Sequence, residues 1–105
     1  MEENSDDVKL GGNITLSGFR EIDGGSKVIL RKIVGSYARK FTESSTNLEE
    51  IHLSMKPVHE REQSKKYEIK CKLVDNGQVH TSEVTERNLF VAIDSVLKKI
   101  EATMK

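Results

Sequence analysis

The basic side chains of this 105-residue chain are concentrated in two short segments, although 17 basic and 17 acidic residues give it no net charge. Residues 26–42 contain five bases and no acid, and residues 65–72 have a net charge of +3. The bases of the first segment are Lys27, Arg31, Lys32, Arg39 and Lys40. A local field of this kind attracts phosphate backbones whatever the charge of the whole chain. Both segments are equally compatible with ordinary solvated surfaces.

Residue types that bind metals or act as nucleophiles are present, but their spacing does not suggest a site. No short ligand spacing links the three histidines, so we expect no metal centre. These are His52, His59 and His80. Cys71 alternates with apolar neighbours and is expected to be a buried thiol rather than a nucleophile. Neither glycine pair belongs to a phosphate-binding loop, and no serine lies in a nucleophile elbow.

Asp94 interrupts an apolar run near the end of the chain, "NLFVAIDSVLKKIEATMK". No second carboxylate lies at a spacing that suggests acid–base catalysis. Lys98 follows four residues later, which is the favourable order for an exposed ion pair on a helix. We therefore expect a non-catalytic protein that uses no cofactor and no small-molecule substrate.

A continuous apolar stripe predicts that residues 26–42, which carry the first group of bases, form a helix. The stripe follows the spacing i, i+3, i+4, i+7, i+8 and i+11 and consists of Leu30, Ile33, Val34, Tyr37, Ala38 and Phe41. Tyr37 and Phe41 are therefore expected in the core rather than on a base-stacking surface. The bases mostly fall off the stripe. Gly35 costs a helix interior about 1 kcal/mol relative to alanine, and close packing is one reason for a glycine there.

Four segments in which apolar and polar residues alternate predict strands. They are residues 13–19, 50–56, 67–74 and 78–84. Asn76-Gly77, between the last two, favours a two-residue hairpin turn. Pro57 and the polar run that follows it predict a turn or a long connection. The outward-facing side chains of these strands would include His52, Lys56, Lys70, Lys72 and His80.

A second amphipathic helix is predicted to begin near Thr85, with Asn88 or Glu86 contributing to its cap. The resulting order, β-α-β-β-β-α, predicts an α+β fold: a two-layer sandwich of a four-stranded sheet with both helices on one face. Residues 13–105 would form this single domain, and residues 1–12 a disordered acidic leader. No run of 18 apolar residues and no signal peptide occurs, and a lone cysteine fits a cytoplasmic location without membrane contact.

The motifs, taken in order, resemble the short ribosome hibernation factors, also called hibernation-promoting factor or ribosome-associated inhibitor A. The resemblance covers residues 13–105 and begins with "NITLSGF", followed by "LRKIV" and "ARKF" in the first helix. It continues through "NLEEIHLSMKP" and the hairpin "KLVDNGQVHTSEV". The segment "NLFVAIDSVLKKIE" is similar to the family's end motif, in which Ala-Ile-Asp precedes a Leu/Ile-Lys helix. The family has the same order of elements, and we expect the two-layer sandwich to be similar to a double-stranded-RNA-binding domain.

This resemblance implies a stress-response protein that binds the small ribosomal subunit and its rRNA near the decoding region and inhibits translation. The positions that match basic or helix-surface positions of the family are Lys32, Lys40, Lys56, Lys98 and Lys99. The charge distribution adds Lys27, Arg31, Arg39, Lys70 and Lys72 as candidate RNA-binding residues. No dimerisation domain follows the second helix, so pairing of ribosomes is not expected. A general structured-RNA-binding domain and a protein–protein adaptor remain alternatives.

Overall fold

Two helices and five strands make up the part of the chain that the computed structural model describes, residues 8–11, 13–20, 22–59 and 65–104. The strands and helices, in chain order, are β1 (Val8–Gly11), β2 (Ile14–Ser17), α1 (Gly24–Ser44), β3 (Leu48–His59), β4 (Lys65–Asp75), β5 (Gln78–Glu86) and α2 (Leu89–Thr103).

The strands form one sheet whose spatial order is the chain order, β1-β2-β3-β4-β5. β2 and β3 are parallel, because α1 carries the chain back across the sheet between them, and all the other neighbours are antiparallel. The apolar residues of both helices and of one sheet face form a single buried cluster. The predicted α+β fold, with two helices covering one face of the sheet, is therefore confirmed.

The sheet has one strand more than the sequence predicts. Residues Val8–Gly11 form β1, which pairs with β2 through Val8 opposite Leu16 and Lys9 opposite Thr15. The prediction of a disordered leader over residues 1–12 is therefore wrong for these four residues. The remainder of that leader, residues 1–7 and 12, lies outside the described part of the chain.

Strand alternation places the core side chains as the sequence predicts. Ile51 lies opposite Leu73 and Leu53 opposite Cys71 in the β3–β4 register, and all four are buried. The helices cover them with the α1 stripe and with residues of α2 at the same spacing. These helix residues are Leu30, Val34, Tyr37, Phe41, Leu89, Ala92, Ile93, Val96, Leu97 and Ile100. Burial of these two stripes against the sheet is the main stabilising contribution of the fold.

The first helix begins where the sequence offers a cap. The side chain of Asp23 accepts a hydrogen bond of 3.1 Å from the backbone amide of Ser26. The side chain of Ser26, followed by this backbone contact, lowers the pKa of the Asp23 carboxyl. α1 then runs to Ser44.

The second helix begins later than the predicted start near Thr85. Thr85 still belongs to β5, where it lies opposite Glu68 of β4. α2 begins at Leu89, where the side chain of Asn88 accepts a 3.0 Å hydrogen bond from the backbone amide of Val91. Asn88 alone therefore supplies the side-chain cap, because strand pairing retains Thr85 and Glu86 in the sheet.

Pro57 does not form the predicted turn but lies within β3, opposite Tyr67. The pairing of β2 with β3 ends at Ser17 opposite Ser54, so β3 is an edge strand beyond that point. Proline is tolerated at an edge because its missing amide would have no partner there. The remainder of the predicted connection, residues 60–64, lies outside the described residues.

Three described residues with positive φ lie at the ends of strands. Asn76 (φ 52°) and Gly77 (φ 85°) form the predicted two-residue hairpin turn between β4 and β5. Gly18, at the end of β2, has a φ of 83°, and a Cβ atom there would collide with the backbone carbonyl of Met55. Gly18 is therefore required both by its conformation and by the close approach of β3.

Candidate nucleic-acid interface

One face of α1 is directed away from the sheet and is rich in positive charge. We call it the α1 outer face; its residues are Val28, Arg31, Lys32, Gly35 and Arg39, all exposed. They follow the spacing i, i+3, i+4, i+7 and i+11, so they share one side of the helix, opposite the buried stripe. The whole helix carries five basic side chains and one acidic side chain, Glu43, a net charge of +4.

The basic side chains of the α1 outer face have no acidic partners in the described part of the chain. Within residues 8–11, 13–20, 22–59 and 65–104, Arg31, Lys32 and Arg39 form no ion pair. Two further bases of the helix lie beside this face. Lys27 is half-buried near the start of α1, and Nζ of Lys40 lies 5.1 Å from the centre of the Tyr37 ring. A ring in this position attracts the ammonium group without neutralising it.

The second basic segment lies on the opposite surface of the molecule. The sheet outer face, which no helix covers, consists of alternate residues of β3, β4 and β5: Glu50, His52, Ser54, Lys56, Lys66, Glu68, Lys70, Lys72, Val74, Val79, Thr81, Glu83 and Thr85. The predicted outward orientation of His52, Lys56, Lys70 and Lys72 is confirmed.

Carboxylates lie next to the lysines on the sheet outer face. Lys56 lies opposite Glu68 in the β3–β4 register, and Lys70 lies opposite Glu83 in the β4–β5 register. The Lys72 ammonium is 3.7 Å from Oε1 of Glu50. Cross-strand neighbours of opposite charge attract one another, so the positive field of the three lysines is locally offset.

A shallow depression of about 500 Å³ occupies the middle of the sheet outer face. His52, Lys70, Lys72 and Glu83 are among the residues around it. At its border, Nε2 of His52 lies 2.7 Å from the hydroxyl of Ser17 on β2. The lining combines both signs of charge, so the depression is less suited to a polyanion than the α1 outer face.

His80 is not on the sheet outer face, and the prediction that it points outward is wrong. The two-residue turn sets Asp75 opposite Gln78, which places His80 opposite the buried residue Leu73. The side chain of His80 therefore reaches the helix layer, where Nδ1 lies 2.9 Å from the hydroxyl oxygen of Thr103. The length of the turn alone determines on which side of the sheet His80 lies, because side chains alternate strictly along each strand.

Asp94 connects the two helices. One carboxylate oxygen accepts a 2.8 Å hydrogen bond from the hydroxyl of Tyr37, and the other lies 3.5 Å from the ammonium of Lys98. The predicted Asp94–Lys98 pair is thus confirmed, whereas the contact with α1, 57 residues earlier in the chain, was not predicted. Burial, followed by the hydrogen bond to Asp94, raises the pKa of Tyr37 to about 12.

The lysines of α2 both contact other groups of the protein. Lys98 pairs with Asp94, and the Lys99 ammonium donates a 3.2 Å hydrogen bond to the backbone carbonyl of Glu83 on β5. Their charges remain exposed, and only the contact of Lys99, among these two, joins α2 to another element of the described structure. The ten predicted RNA-binding residues are therefore divided among α1, α2 and the far side of the sheet rather than forming one patch.

The thiol of Cys71 is the most deeply buried of the remaining reactive groups in the described residues. Cys71 is 2% exposed, and burial raises the pKa of its thiol to about 12, so the thiolate is scarce near neutral pH. Within the described ranges no three side chains of His, Cys, Asp or Glu come together as metal ligands. In the same residues, no helix is long and apolar enough to cross a membrane.

Comparison with models of known protein families and with curated proteins gives no match to this chain.

Proposed function

We propose that this protein is a non-catalytic RNA-binding domain that inhibits translation by binding the small ribosomal subunit near the decoding region. The observation that carries the proposal is the α1 outer face, where Arg31, Lys32 and Arg39 are exposed and form no ion pair within the described residues. Phosphate groups are the common biological partner of arginine and lysine side chains that lack an acidic partner within the protein. The choice of the ribosome rests on the resemblance to the hibernation factors.

The aromatic residues favour recognition of RNA shape and backbone over stacking on bases. Phe19, Tyr37 and Phe41 are all buried in the core. Tyr67 is half-buried and packs against the core, and Phe90, in α2, is also half-buried. Single-stranded RNA is usually bound by exposed aromatic side chains, whereas folded RNA is bound through phosphates and overall shape.

The proposed inhibition is steric. The domain is a two-layer wedge, with the α1 outer face on one side and the sheet outer face on the other. In an RNA-lined cleft, the α1 outer face would supply most of the affinity through phosphate contacts, and Lys56, Lys70 and Lys72 would add weaker contacts. A domain held there would exclude messenger and transfer RNA without any chemical step. The proposed inhibition therefore needs no catalytic residue.

Co-sedimentation with small subunits and whole ribosomes, at low and at high salt, tests the proposal. We expect the wild-type protein to bind the small subunit at low salt and to lose affinity steeply as salt rises, because each phosphate contact releases counterions. A variant with Arg31→Glu, Lys32→Glu and Arg39→Glu should lose affinity by about 100-fold or more at low salt. Its thermal unfolding serves as the control, and it should match the wild type because these side chains form no ion pair within the described residues.

Competition separates the proposal from its alternatives. An excess of an RNA duplex that displaces the protein from ribosomes would indicate a general structured-RNA-binding domain instead. Normal ribosome binding by the charge-reversed variant would contradict a role for the α1 outer face and favour contact with ribosomal proteins. No binding of the wild type at any salt concentration would overturn the ribosomal function.

A further inference from the structure

Gly35 lies in the middle of the α1 outer face, and nothing in the described part of the chain requires a glycine there. It is absent from the described glycines with positive φ, so its backbone is accessible to any residue. A Cβ atom at this position would meet no other atom within 4 Å, so close packing within the protein is not the reason either. Glycine nevertheless destabilises a helix interior relative to alanine.

The surroundings of Gly35 indicate what the missing side chain leaves room for. Arg31 and Lys32 lie one helical turn before it, and Arg39 lies one turn after it, on the same face. Between these cationic groups the helix backbone is uncovered and open to solvent. The α1 outer face thus has a gap between its side chains at Gly35, which we call the groove, with positive side chains one helical turn away on either side.

We propose that the phosphodiester backbone of a folded RNA crosses α1 at Gly35, close to the helix backbone. Arg31 and Lys32 bind phosphates on one side of the crossing, and Arg39 binds on the other. Glycine serves this contact because any side chain at this position would hold the sugar-phosphate chain away from the helix. The distances from the phosphates to the flanking arginine and lysine side chains would then increase. This inference rests on the proposed function and specifies which surface the RNA approaches and how closely.

Substitution of Gly35 separates stability from binding. Gly35→Ala should raise the melting temperature by roughly 4 °C, because alanine is the better helix former. The same variant should bind small ribosomal subunits about tenfold more weakly, the loss expected when one charge-assisted contact to phosphate is weakened. Ser36→Ala is the matched control: it also favours the helix but adds no atoms at the groove, so its affinity should equal that of the wild type.

Addition of charge gives a second and sharper test. If only the positive field mattered, Gly35→Lys would bind RNA more tightly than the wild type. The proposed close approach predicts the reverse, since the lysine side chain fills the groove. Ser36→Lys, which adds the same charge one residue away from the groove, should bind at least as tightly as the wild type.

The outcomes distinguish this inference from the function on which it rests. Wild-type binding to small subunits with undiminished binding by Gly35→Ala and tighter binding by Gly35→Lys would overturn the crossing at Gly35 and leave the proposed function standing. A wild type that binds neither small subunits nor an RNA duplex would overturn both.

Discussion

The α1 outer face and the sheet outer face both derive from basic segments of the sequence, yet their electrostatic environments differ. On α1, Arg31, Lys32 and Arg39 form no ion pair within the described residues, and the whole helix contains a single acid. On the sheet, Lys70 lies opposite Glu83 and the Lys72 ammonium is 3.7 Å from Glu50. The comparison teaches that a group of basic side chains is suited to anion binding only when the side chains around it in the folded protein include no compensating acids.

Geometry explains the difference between the two surfaces. A helix takes all the residues of its outer face from one continuous segment, so a segment without acids yields a face without acids. A strand instead places every second residue beside residues from two other strands. The acids of β3 and β5 therefore reach the lysines of β4, although they are distant in sequence.

Charge reversal on each surface in turn should give the largest effect. Arg31→Glu, Lys32→Glu and Arg39→Glu together should lower affinity for the small subunit by about 100-fold or more at low salt, because several phosphate contacts are replaced by repulsion. Lys56→Glu, Lys70→Glu and Lys72→Glu together should lower it by less than about tenfold, since acids already offset those lysines. Filter-binding titrations measure both. An equal or larger loss in the sheet variant would reverse the comparison.

Substitution by alanine should change stability in opposite directions at Gly18, which follows β2, and at Gly35, on the α1 outer face. Gly18→Ala should destabilise the protein by about 2 kcal/mol or more, because φ is positive and the added methyl group meets the carbonyl of Met55. Gly35→Ala should stabilise it by up to about 1 kcal/mol. Urea denaturation gives both values, and destabilisation of similar size by the two substitutions would show that the α1 outer face has a structural constraint of its own.

Tyr37→Phe tests whether the contact of Tyr37 with Asp94, which joins α1 to α2 on the side of α1 away from the α1 outer face, serves the fold or the binding. The variant lacks the 2.8 Å hydrogen bond to Asp94 and should lose about 1 kcal/mol of unfolding free energy near neutral pH. Its affinity for small subunits should be unchanged. A loss of affinity without a loss of stability would assign this contact to the binding surface.

The pH dependence of the same variant provides a check. The pKa of Tyr37 is raised from 10.0 to about 12 in the folded protein, so the fold favours the protonated phenol. The stability that this preference contributes is fully present below pH 10 and is lost as the pH rises through 12. The free energy of unfolding should therefore fall more steeply over this range in the wild type than in Tyr37→Phe, and parallel curves would contradict the raised pKa.

Removal of acids from the sheet outer face should give the smallest effect. Glu68→Gln and Glu83→Gln together should raise affinity for small subunits by roughly two- to threefold, because Lys56 and Lys70 lose the carboxylates opposite them. Glu43→Gln on α1 is a control that removes one acid from the other region. No gain from the sheet variant in the same titrations would show that the sheet lysines do not contact RNA.

Local patterns in the sequence predict much of this fold correctly. The α1 stripe, the alternation in the central strands and the Asn76-Gly77 turn each depend on neighbours within a few residues, so one segment contains the whole signal. The Asp94–Lys98 pair is local for the same reason. The predicted burial of Tyr37, Phe41 and Cys71 follows from the same periodicities.

The features that the sequence does not reveal depend on distant partners. β1 is four residues long and is defined by its pairing with β2. Pro57 is accommodated because β2 is too short to reach it, and the Tyr37–Asp94 hydrogen bond joins residues 57 apart. The sequence likewise does not reveal that acids offset the charge of the sheet lysines, because Glu83 and Glu50 belong to strands on either side of β4. Charge counted along the chain cannot detect such neighbours.

Site-specific crosslinking tests most directly whether the α1 outer face contacts rRNA. Cys71 is buried with a raised thiol pKa, so a single introduced cysteine can be labelled selectively with a short photo-crosslinker. Ser36→Cys places the label beside the α1 outer face, and Thr81→Cys places it on the sheet outer face; both positions are exposed. We predict strong crosslinks from Ser36→Cys to rRNA near the decoding region and weaker ones from Thr81→Cys. Crosslinks from Thr81→Cys alone, or to ribosomal proteins alone, would contradict the account.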